Sequence, residues 1–379
     1  MKRVLLIDPW GIKSTGDYTR GLIHGLSTLT SLSVVTNYYF DDKGETGYRL
    51  FKIFFKRSEN MKQSKFRSII RGIEYYTGYN RILKMCQNEN YDIVHINWLL
   101  FYKLDIFMLK KLKEYGIKIV YTAHNVLPHV SGRKNKEELK EIYSLVDRII
   151  VHGEMVKKEF YREFPEYSAK IYVQKHGANL SSNTCYNINE IDSKIREKVE
   201  AFPRKFIFFG NIFYNKGVDI LLRKWLYDFS QTKVLLIVAG KKRENYLELD
   251  ELEEKSLLAN NILYLNKFVD DNMLNYLINQ SEIILLPYRH ASMSGVVFTA
   301  SDFRKPILCI NAGALGEYLI NGFDSYIASS EIEFNEKLSH IIEMNLREMH
   351  IIMGQRLYEN INLTCSWSNI CQGIVNNVY

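Results

Sequence analysis

The stretch that decides the fold is residues 287–317, PYRHASMSGVVFTASDFRKPILCINAGALGE. A four-residue apolar run at 283–286 leads into it, and a second apolar run lies within it at 307–310. Short apolar runs of this kind, bounded by Pro or by charged residues, are typical of parallel strands that are buried on both faces. Between the two runs, the small residues 291–295 predict a turn. Residues 296–303 predict a helix that ends at Lys305-Pro306.

The same stretch predicts an anion site beyond the strand ends. The first N–H groups of a helix have no partner within the helix, and the helix dipole places positive charge there. Gly295 has no Cβ, so a phosphate can approach the backbone at the helix start. A second turn at 313–317 is expected to open another helix at the same sheet edge. The two turns side by side then form a pocket.

The length and composition indicate a globular protein of two domains. The chain has 379 residues, which is enough for two domains of ordinary size. No apolar run reaches the roughly 18 residues that a membrane-spanning helix needs, and residues 4–8 predict a first strand rather than a signal peptide. Five cysteines without paired spacings indicate a reducing compartment. We therefore expect a cytoplasmic protein without structural disulfides.

Positive charge is concentrated in the first half of the chain. Residues 1–180 carry 30 Lys or Arg against 19 Asp or Glu, whereas residues 181–379 carry 20 against 24. Within the first half, residues 48–76 interleave eight basic residues with seven aromatic ones. At helical spacing this composition favours a surface that lies on anionic lipid, here the inner face of the plasma membrane. The alternative is an ordinary surface helix pair whose aromatics go to the core. No nucleic-acid-binding motif accompanies the segment, so we expect no nucleic-acid partner.

Strand and helix patterns alternate along the rest of the chain, which predicts βαβ units with parallel sheets. We expect one Rossmann-like domain over residues 1–180, a polar linker over 181–203 and a second domain over 204–355. Residues 356–379 are expected to form a terminal helix that packs back toward the first domain. Ligands of such sheets bind beyond the carboxyl ends of the strands. His124 is expected to point into that open end, and His152 is interpreted as structural.

Several short segments carry a resemblance to a known family. They are residues 16–19, 92–95, 122–125, 175–179 and 210–219, with the turns at 294–296 and 313–317 as the last pair. Their order and spacing resemble those of the GT-B glycosyltransferases, and in detail the retaining family 4, or glycosyltransferase group 1. The resemblance covers nearly the whole chain. It implies an α/β fold of two doubly wound, Rossmann-like domains that face each other across a cleft, with the acceptor-side domain first and the nucleotide-sugar domain second.

The resemblance also implies a function. It implies a hexosyltransferase that moves a sugar from a nucleoside diphosphate sugar to a glycan or a lipid-linked saccharide, with retention, in cell-surface polysaccharide synthesis. No cofactor and no metal are expected, and the sequence contains no Asp-x-Asp. His124 and Lys216 are the residues expected to be catalytic, through the donor sugar and the diphosphate respectively. The residues expected to bind the donor are Gly16, Asn211, Lys216, His290, Ser294, Gly295, Val296, Thr299 and Glu317. For Glu317, a simple carboxylate at a helix start is the alternative.

Two departures from the family pattern leave a second hypothesis open. The place after the loop glycine, usually Arg in the family, is Asn211, and two family glutamates correspond to Ala291 and Thr299. Thr299 can make only a weaker hydrogen bond to ribose hydroxyls than a carboxylate would. The alternative is a non-catalytic GT-B-like subunit that supports a partner transferase.

Overall fold

The computed structural model describes residues 1–12, 15–127, 135–180, 183–244, 246–290 and 295–379. It divides into two compact units, residues 1–180 with 365–379, and residues 181–364. Each unit is built on one parallel sheet. Along β1 (Arg3–Asp8) of the first unit, alternate residues enter two separate hydrophobic clusters, so both faces of that sheet are covered. These features confirm the predicted α/β class with two Rossmann-like domains.

The other strands of the first unit are β2 (Ser31–Asn37), β3 (Arg49–Phe54), β4 (Ile93–Ile96), β5 (Lys118–Thr122), β6 (Arg148–Val151) and β7 (Ile171–Val173). Its sheet has the order β3-β2-β1-β4-β5-β6-β7. The helices between the strands are α1 (Thr15–Leu26), α2 (Lys65–Glu89), α3 (Tyr102–Glu114), α4 (Lys136–Leu145) and α5 (Glu154–Glu163), with a 3₁₀ helix at Pro165–Lys170. The strand order reverses between β1 and β4, and ligands of such sheets bind beyond the strand ends at that point.

The second unit has six strands, β8 (Arg204–Phe209), β9 (Val234–Ala239), β10 (Ile262–Leu265), β11 (Ile283–Leu286), β12 (Ile307–Ile310) and β13 (Tyr326–Ala328). They form a parallel sheet in the order β10-β9-β8-β11-β12-β13. The helices are α6 (Ser193–Glu200), α7 (Val218–Tyr227), α8 (Leu247–Leu258), α9 (Asp271–Gln280), α10 (Val296–Asp302), α11 (Glu331–Glu343) and α12 (Arg347–Thr364). This sheet reverses its order between β8 and β11, so residues 287–317 follow a strand at the switch point.

The C-terminal helix α13 (Trp367–Asn377) packs on α1 of the first unit. The approach is close because α1 presents glycines to it. A Cβ added to Gly21 would lie 1.9 Å from the Trp367 ring, and one added to Gly25 would lie 2.5 Å from Cys371 Sγ. The predicted single helix over 356–379 is in fact the end of α12 followed by α13. The two are separated at Cys365-Ser366, where the Ser366 side chain caps α13 by accepting from the Asn369 N–H.

Three segments differ from their predicted form. Residues 181–203 belong to the second unit and contain α6, whose start is capped by Asp192, so they are more than a linker. The turn at 313–317 forms only a 3₁₀ turn, Leu315–Glu317, and no second helix opens there. Asp324 accepts from the Ile320 N–H at 2.7 Å and holds the chain in a further turn instead.

Residues 48–76 form a strand and the start of a helix, not a pair of helices. Residues 49–54 are β3, which pairs with β2 at the edge of the sheet. Of the aromatic residues, Phe54, Phe55 and Tyr75 are buried in the core. The alternative interpretation, that the aromatic residues of this segment go to the core, therefore holds for these three side chains. Helix α2 begins only at Lys65, after Ser64 caps it by accepting from the Arg67 N–H at 3.1 Å.

Candidate functional site

Two loops meet at the switch point of the second sheet, where β8 and β11 are neighbours. The loop after β8 spans 210–217, and the loop after β11 begins at Pro287. Gly217 has a φ of 67°, and an added Cβ would lie 2.1 Å from the Pro287 carbonyl oxygen, so the close approach requires glycine here. Asn215 Nδ2 also donates to the His290 carbonyl at 3.2 Å. The structure thus places the exposed His290 beside the 210–217 loop.

A buried ion pair holds the same two loops together. Asp219, in the first turn of α7, is fully buried and accepts from Arg289 Nη1 at 2.9 Å and from Nη2 at 2.7 Å. Arg289 Nη1 donates as well to the Tyr214 carbonyl at 2.8 Å. Two parallel hydrogen bonds between guanidinium and carboxylate are the strong form of this contact. Arg289 is therefore engaged within the protein and fixes the geometry of the loops.

Lys216 lies in the 210–217 loop with its charge poorly compensated. Its Nζ is 3.7 Å from the centroid of the Tyr288 ring, which is the distance of a cation–π contact. Burial lowers the pKa of Lys216 to about 8, and within the described ranges no carboxylate pairs with it. Removing an ammonium from water without a counter-ion is costly. Such a side chain is well prepared to bind an anion.

A second cation, Arg243, reaches the same loop from the segment after β9. Its Nε donates to Asn211 Oδ1 at 3.0 Å, and its backbone N–H donates to the Ile212 carbonyl at 2.9 Å. The side chain is exposed, and no carboxylate pairs with its guanidinium in the part of the chain that the structure describes. Sequence reasoning missed Arg243, because it lies 32 positions from Asn211. The only available signal was its place just after an apolar strand and a glycine.

The remaining residues predicted to bind the donor lie around the start of α10 and beyond β12. Gly295 is exposed, and an added Cβ would contact nothing within 4 Å, so the backbone is open at this point. Val296 begins α10, and the Thr299 hydroxyl donates to the Gly295 carbonyl at 3.5 Å. Glu317 is partly buried at the end of its 3₁₀ turn. Ser294 lies outside the described residues. The roles of all five stay predictions.

At the first sheet, the carboxyl end of β1 forms a tight turn. Asp8 Oδ1 accepts from the Trp10 N–H at 3.0 Å and the Gly11 N–H at 2.8 Å, and the Thr19 hydroxyl donates to Oδ2. Burial raises the pKa of Asp8 to about 6 against the lowering effect of these hydrogen bonds. Gly16 packs on this turn, since an added Cβ would lie 3.4 Å from the Gly11 carbonyl. The predicted role of Gly16 in donor binding stays a prediction.

Three histidines follow neighbouring strands of the first sheet: His124 after β5, His152 after β6 and His176 beyond β7. The ring of Tyr18 contacts all three, at centroid distances of 4.8, 5.2 and 4.9 Å. His124 also stacks on the Trp98 indole, with centroids 4.2 Å apart and planes at 10°. Burial lowers the pKa of His152 to about 3, of His176 to about 4 and of His124 well below its usual value. The cluster is therefore neutral at pH 7.

Buried polar atoms without partners are concentrated at this sheet edge. Asn97 Oδ1, Trp98 Nε1 and His124 Nε2 are each buried and make no hydrogen bond within the described ranges. Leaving a buried donor or acceptor unpaired costs about 1–3 kcal/mol, so native proteins do so rarely. Asn97 adjoins Trp98 in the chain and the Trp98 ring stacks on His124, so the three atoms indicate a place where a polar ligand binds. Sequence reasoning found His124 here but not Trp98.

Two further observations concern metals and membranes. In residues 1–12, 15–127, 135–180, 183–244, 246–290 and 295–379, no three His, Cys, Asp or Glu side chains are grouped so as to hold a metal ion. In the same ranges no helix has the length and apolar character needed to cross a bilayer.

The two units each match a family of known proteins. Residues 35–182 match the family described as Glycosyltransferase Family 4, and residues 203–344 match the one described as Glycosyl transferases group 1. Two Rossmann-like units with these matches define a glycosyltransferase of the GT-B class. The chain belongs to the group 1, family 4 glycosyltransferases, as the sequence predicted.

Solved structures of this fold are similar along nearly the whole chain. Sucrose-phosphate synthase from Thermosynechococcus elongatus is 11% identical, with a TM-score of 0.70 over 99% of this chain and 98% of that one. Anabaena HepE in complex with UDP is 16% identical, with a TM-score of 0.67 over 100% and 99%. The catalytic domain of starch synthase IV from Arabidopsis thaliana, bound to ADP and acarbose, is 12% identical, with a TM-score of 0.69. It covers 99% of this chain and 98% of that one. At such identities the likeness shows the fold.

One curated relative is similar in sequence. It is an uncharacterized 41.2 kDa protein in the cps region of Klebsiella pneumoniae, 22% identical over 268 residues. The aligned part is 66% of this chain and 68% of that protein.

Proposed function

We propose that this glycosyltransferase moves a sugar from a nucleoside diphosphate sugar to a saccharide acceptor. The observation that carries the proposal is a pair of cations at the loop after β8, where Lys216 belongs to the loop and Arg243 reaches it from the segment after β9. Lys216 is largely desolvated without a carboxylate partner, and Arg243 is anchored to Asn211 through one nitrogen of its guanidinium. Both belong to the switch point of the second sheet, where ligands of doubly wound sheets bind. The likeness to structures that hold UDP or ADP supports the same ligand class.

The chemistry of the donor explains why cations are needed. When the sugar is transferred, the nucleoside diphosphate leaves and negative charge develops on its oxygens. Preorganised positive groups stabilise that charge more in the transition state than in the ground state, and so accelerate the reaction. Lys216 and Arg243 supply such charge, and the open backbone at Gly295 supplies N–H donors. We propose that transfer proceeds without a metal ion and with retention, as the family resemblance implies.

The acceptor proposed is a glycan or a lipid-linked saccharide in cell-surface polysaccharide synthesis. The similar protein in the cps region of Klebsiella pneumoniae supports this role.

For His124 of the first unit we propose the contact with the donor sugar that the family resemblance implies. The stacked rings of Trp98 and His124 and their unpaired nitrogens provide flat apolar faces beside polar atoms. Sugars present the same combination of apolar faces and hydroxyl groups, and binding sites with few, well-placed polar groups among aromatic side chains suit them.

Isothermal titration against a panel of nucleotide sugars tests the proposal. We expect one donor to bind, and the Lys216→Ala variant to lose both binding and transfer while its circular dichroism spectrum is unchanged. Binding by none of the donors would instead favour the non-catalytic partner subunit. Full transfer activity in Lys216→Ala would exclude the role given to Lys216.

We also propose that the first unit docks on anionic lipid through α2. Four large apolar side chains of α2 are exposed at spacings of three and four residues, which places them on one face of the helix. They are Phe66, Ile69, Ile73 and Tyr76. Exposed basic residues precede them at 52, 56, 57, 62 and 65. An apolar stripe beside positive charge is the pattern of a helix that lies in the membrane interface.

Sedimentation with vesicles tests this docking. The charge-reversal variant carries Lys52→Glu, Lys56→Glu, Arg57→Glu and Lys65→Glu. We expect it to leave phosphatidylserine vesicles, because each basic residue near such a surface contributes about 1 kcal/mol. The matched control reverses four exposed lysines elsewhere, at 158, 194, 233 and 267, and should still sediment. Equal sedimentation of the two variants would contradict the proposal.

A further inference from the structure

Two of the three histidines of the first sheet, His152 and His124, form a chain of hydrogen bonds that begins at the Gln174 carbonyl and ends at His124. His152 Nδ1 lies 3.2 Å from the Gln174 carbonyl oxygen, and His152 Nε2 lies 3.2 Å from His124 Nδ1. Both rings are held in place by aromatic neighbours, since Tyr18 contacts each of them and Trp98 stacks on His124. The positions of the His152 and His124 rings are thus fixed by their neighbours.

The hydrogen-bond partners determine which ring nitrogens carry a proton, first in His152 and then in His124. A carbonyl oxygen only accepts, so His152 Nδ1 must carry a proton and donate to Gln174. Burial lowers the pKa of His152 to about 3, so the ring is neutral at pH 7 and its Nε2 carries the lone pair. An unprotonated Nε2 can only accept, and therefore His124 Nδ1 must donate to it.

These proton positions leave His124 with one ring nitrogen, Nε2, that makes no hydrogen bond. Burial, together with the neighbouring His152 and His176, lowers the pKa of His124 well below its usual value, so this ring is neutral as well. With the proton on Nδ1, Nε2 carries a lone pair. Nε2 is buried and has no partner within the described ranges. It is an acceptor without a donor in a region that excludes water.

We propose that His152 is a positioning residue that holds His124 in the Nδ1–H tautomer, so that Nε2 accepts a hydrogen bond from a sugar hydroxyl. The proposal rests on the proposed function, in which His124 contacts the donor sugar. It adds a direction to that contact, because the ligand must donate the hydrogen. A donor analogue with fluorine in place of that hydroxyl keeps the shape of the sugar but has no hydrogen to donate.

Nitrogen-15 NMR of histidine-labelled full-length protein tests the tautomer directly. The signals of His124 are assigned by their loss in His124→Gln. In the wild type we expect a protonated Nδ1 and an unprotonated Nε2. His152→Phe keeps a ring in place but cannot accept, so His124 should change to the Nε2–H tautomer. His152→Gln retains an acceptor oxygen and should restore the wild-type pattern. His24→Gln, at an exposed histidine that pairs with Glu45, is the control that should change nothing at His124.

Donor binding provides the second measurement. In the wild type, one fluorinated donor should bind about five- to ten-fold more weakly than the parent sugar, as expected for one neutral hydrogen bond. His152→Phe should lose that discrimination, and His152→Gln should keep it.

The outcomes separate the inference from the proposed function. A wild-type His124 that carries its proton on Nε2 overturns the proposal without any variant. An unchanged His124 in His152→Phe overturns it too. The expected tautomers with undiminished donor binding in His124→Gln would overturn the sugar contact. Absence of any donor binding would count against the proposed function itself, whatever the tautomer.

Discussion

Replacing Lys216 by Met should make the protein more stable and less active at the same time. The Nζ of Lys216 lies over the Tyr288 ring, and burial lowers its pKa from 10.5 to about 8. Folding therefore places a positive charge where it is disfavoured. Met has a similar length and no charge, and it packs well against aromatic rings. The substitution removes the unfavourable charge and keeps most of the packing.

The size of the effect follows from the pKa shift. A change in pKa of one unit corresponds to about 1.4 kcal/mol, so the depressed pKa of Lys216 sets an upper limit of roughly 3 kcal/mol at pH 7. The side chain retains some solvent contact, and the loss of the cation–π attraction to Tyr288 opposes the gain by about 1 kcal/mol. We therefore expect Lys216→Met to raise the free energy of unfolding by about 1–2 kcal/mol.

The pH dependence gives the prediction a second, independent signature. Between pH 8 and pH 10.5 the unfolded chain keeps its proton on Lys216 while the folded protein loses it. Because the unfolded state then binds more protons, the stability of the wild type rises with pH through this interval. The advantage of Lys216→Met should be complete below pH 8 and absent above pH 10.5. Urea denaturation of both proteins at pH 7 and pH 10 measures it.

Donor binding should change in the opposite direction. Loss of one charged contact to a diphosphate is worth about 1.5–3 kcal/mol, which is roughly a ten- to hundred-fold weaker affinity in isothermal titration. Lys241→Met, at an exposed lysine nearby, is the control and should alter neither property. The reasoning is refuted if Lys216→Met is less stable than the wild type at pH 7. A stability gain that does not depend on pH would refute it as well.

Three further predictions concern the same unit. Arg243→Ala should weaken donor binding roughly ten-fold or more, and Asn211→Arg in that background should restore part of it; equal titration curves for all three proteins would exclude Arg243. Glu282→Gln should lower the free energy of unfolding by about 3 kcal/mol at neutral pH. Burial raises the pKa of Glu282, but the hydrogen bonds from His350 and Arg204 outweigh burial and lower the pKa to about 2. That contribution is present above pH 4.5 and is lost as the pH falls toward 2, so urea curves at pH 7 and pH 3 should differ. Gly217→Ala should lower the melting temperature by several degrees, through a loss of about 1–3 kcal/mol, and an unchanged melting temperature would show that the two loops can separate freely.

The strands at the centre of the second sheet were the most predictable part of the fold. The predicted strands at 283–286 and 307–310 coincide with β11 and β12. Both are buried on two faces, so they have to be continuous apolar runs, and such runs are visible in a sequence. The strand β3 was not recognised because it lies at a sheet edge, where charged side chains are tolerated and the apolar run is broken. The Asp192 cap of α6 was visible but was outweighed by the polar character of its surroundings.

The site was predictable where it depends on neighbours in the chain and not where it depends on the fold. Lys216 follows its strand within one loop, and a basic residue after a glycine-bearing turn can be read from the sequence. Arg243 reaches Asn211 from the next loop, and Trp98 reaches His124 from another strand. Contacts between loops depend on which strands are neighbours in the sheet. Sequence patterns predict that a sheet exists far better than they predict such pairings of side chains.

The charge of the second unit shows why local pairing matters more than the total. Residues 181–379 carry four more acidic than basic residues, and the sequence therefore indicated that the anionic partner belongs to the first half of the chain. At the switch point of the second sheet the balance of positive and negative charge is different. The buried Asp219 is already bonded twice by Arg289, and Arg223 lies 3.6 Å away. With Asp219 compensated inside the loops, the positive charges of Lys216 and Arg243 outnumber the Glu244 carboxylate, which accepts from the Tyr214 N–H on the same loop at 3.1 Å. A diphosphate responds to the local field over a few ångströms, since salt screens exposed charges beyond about 10 Å. The second unit can thus bind a diphosphate although it is acidic overall.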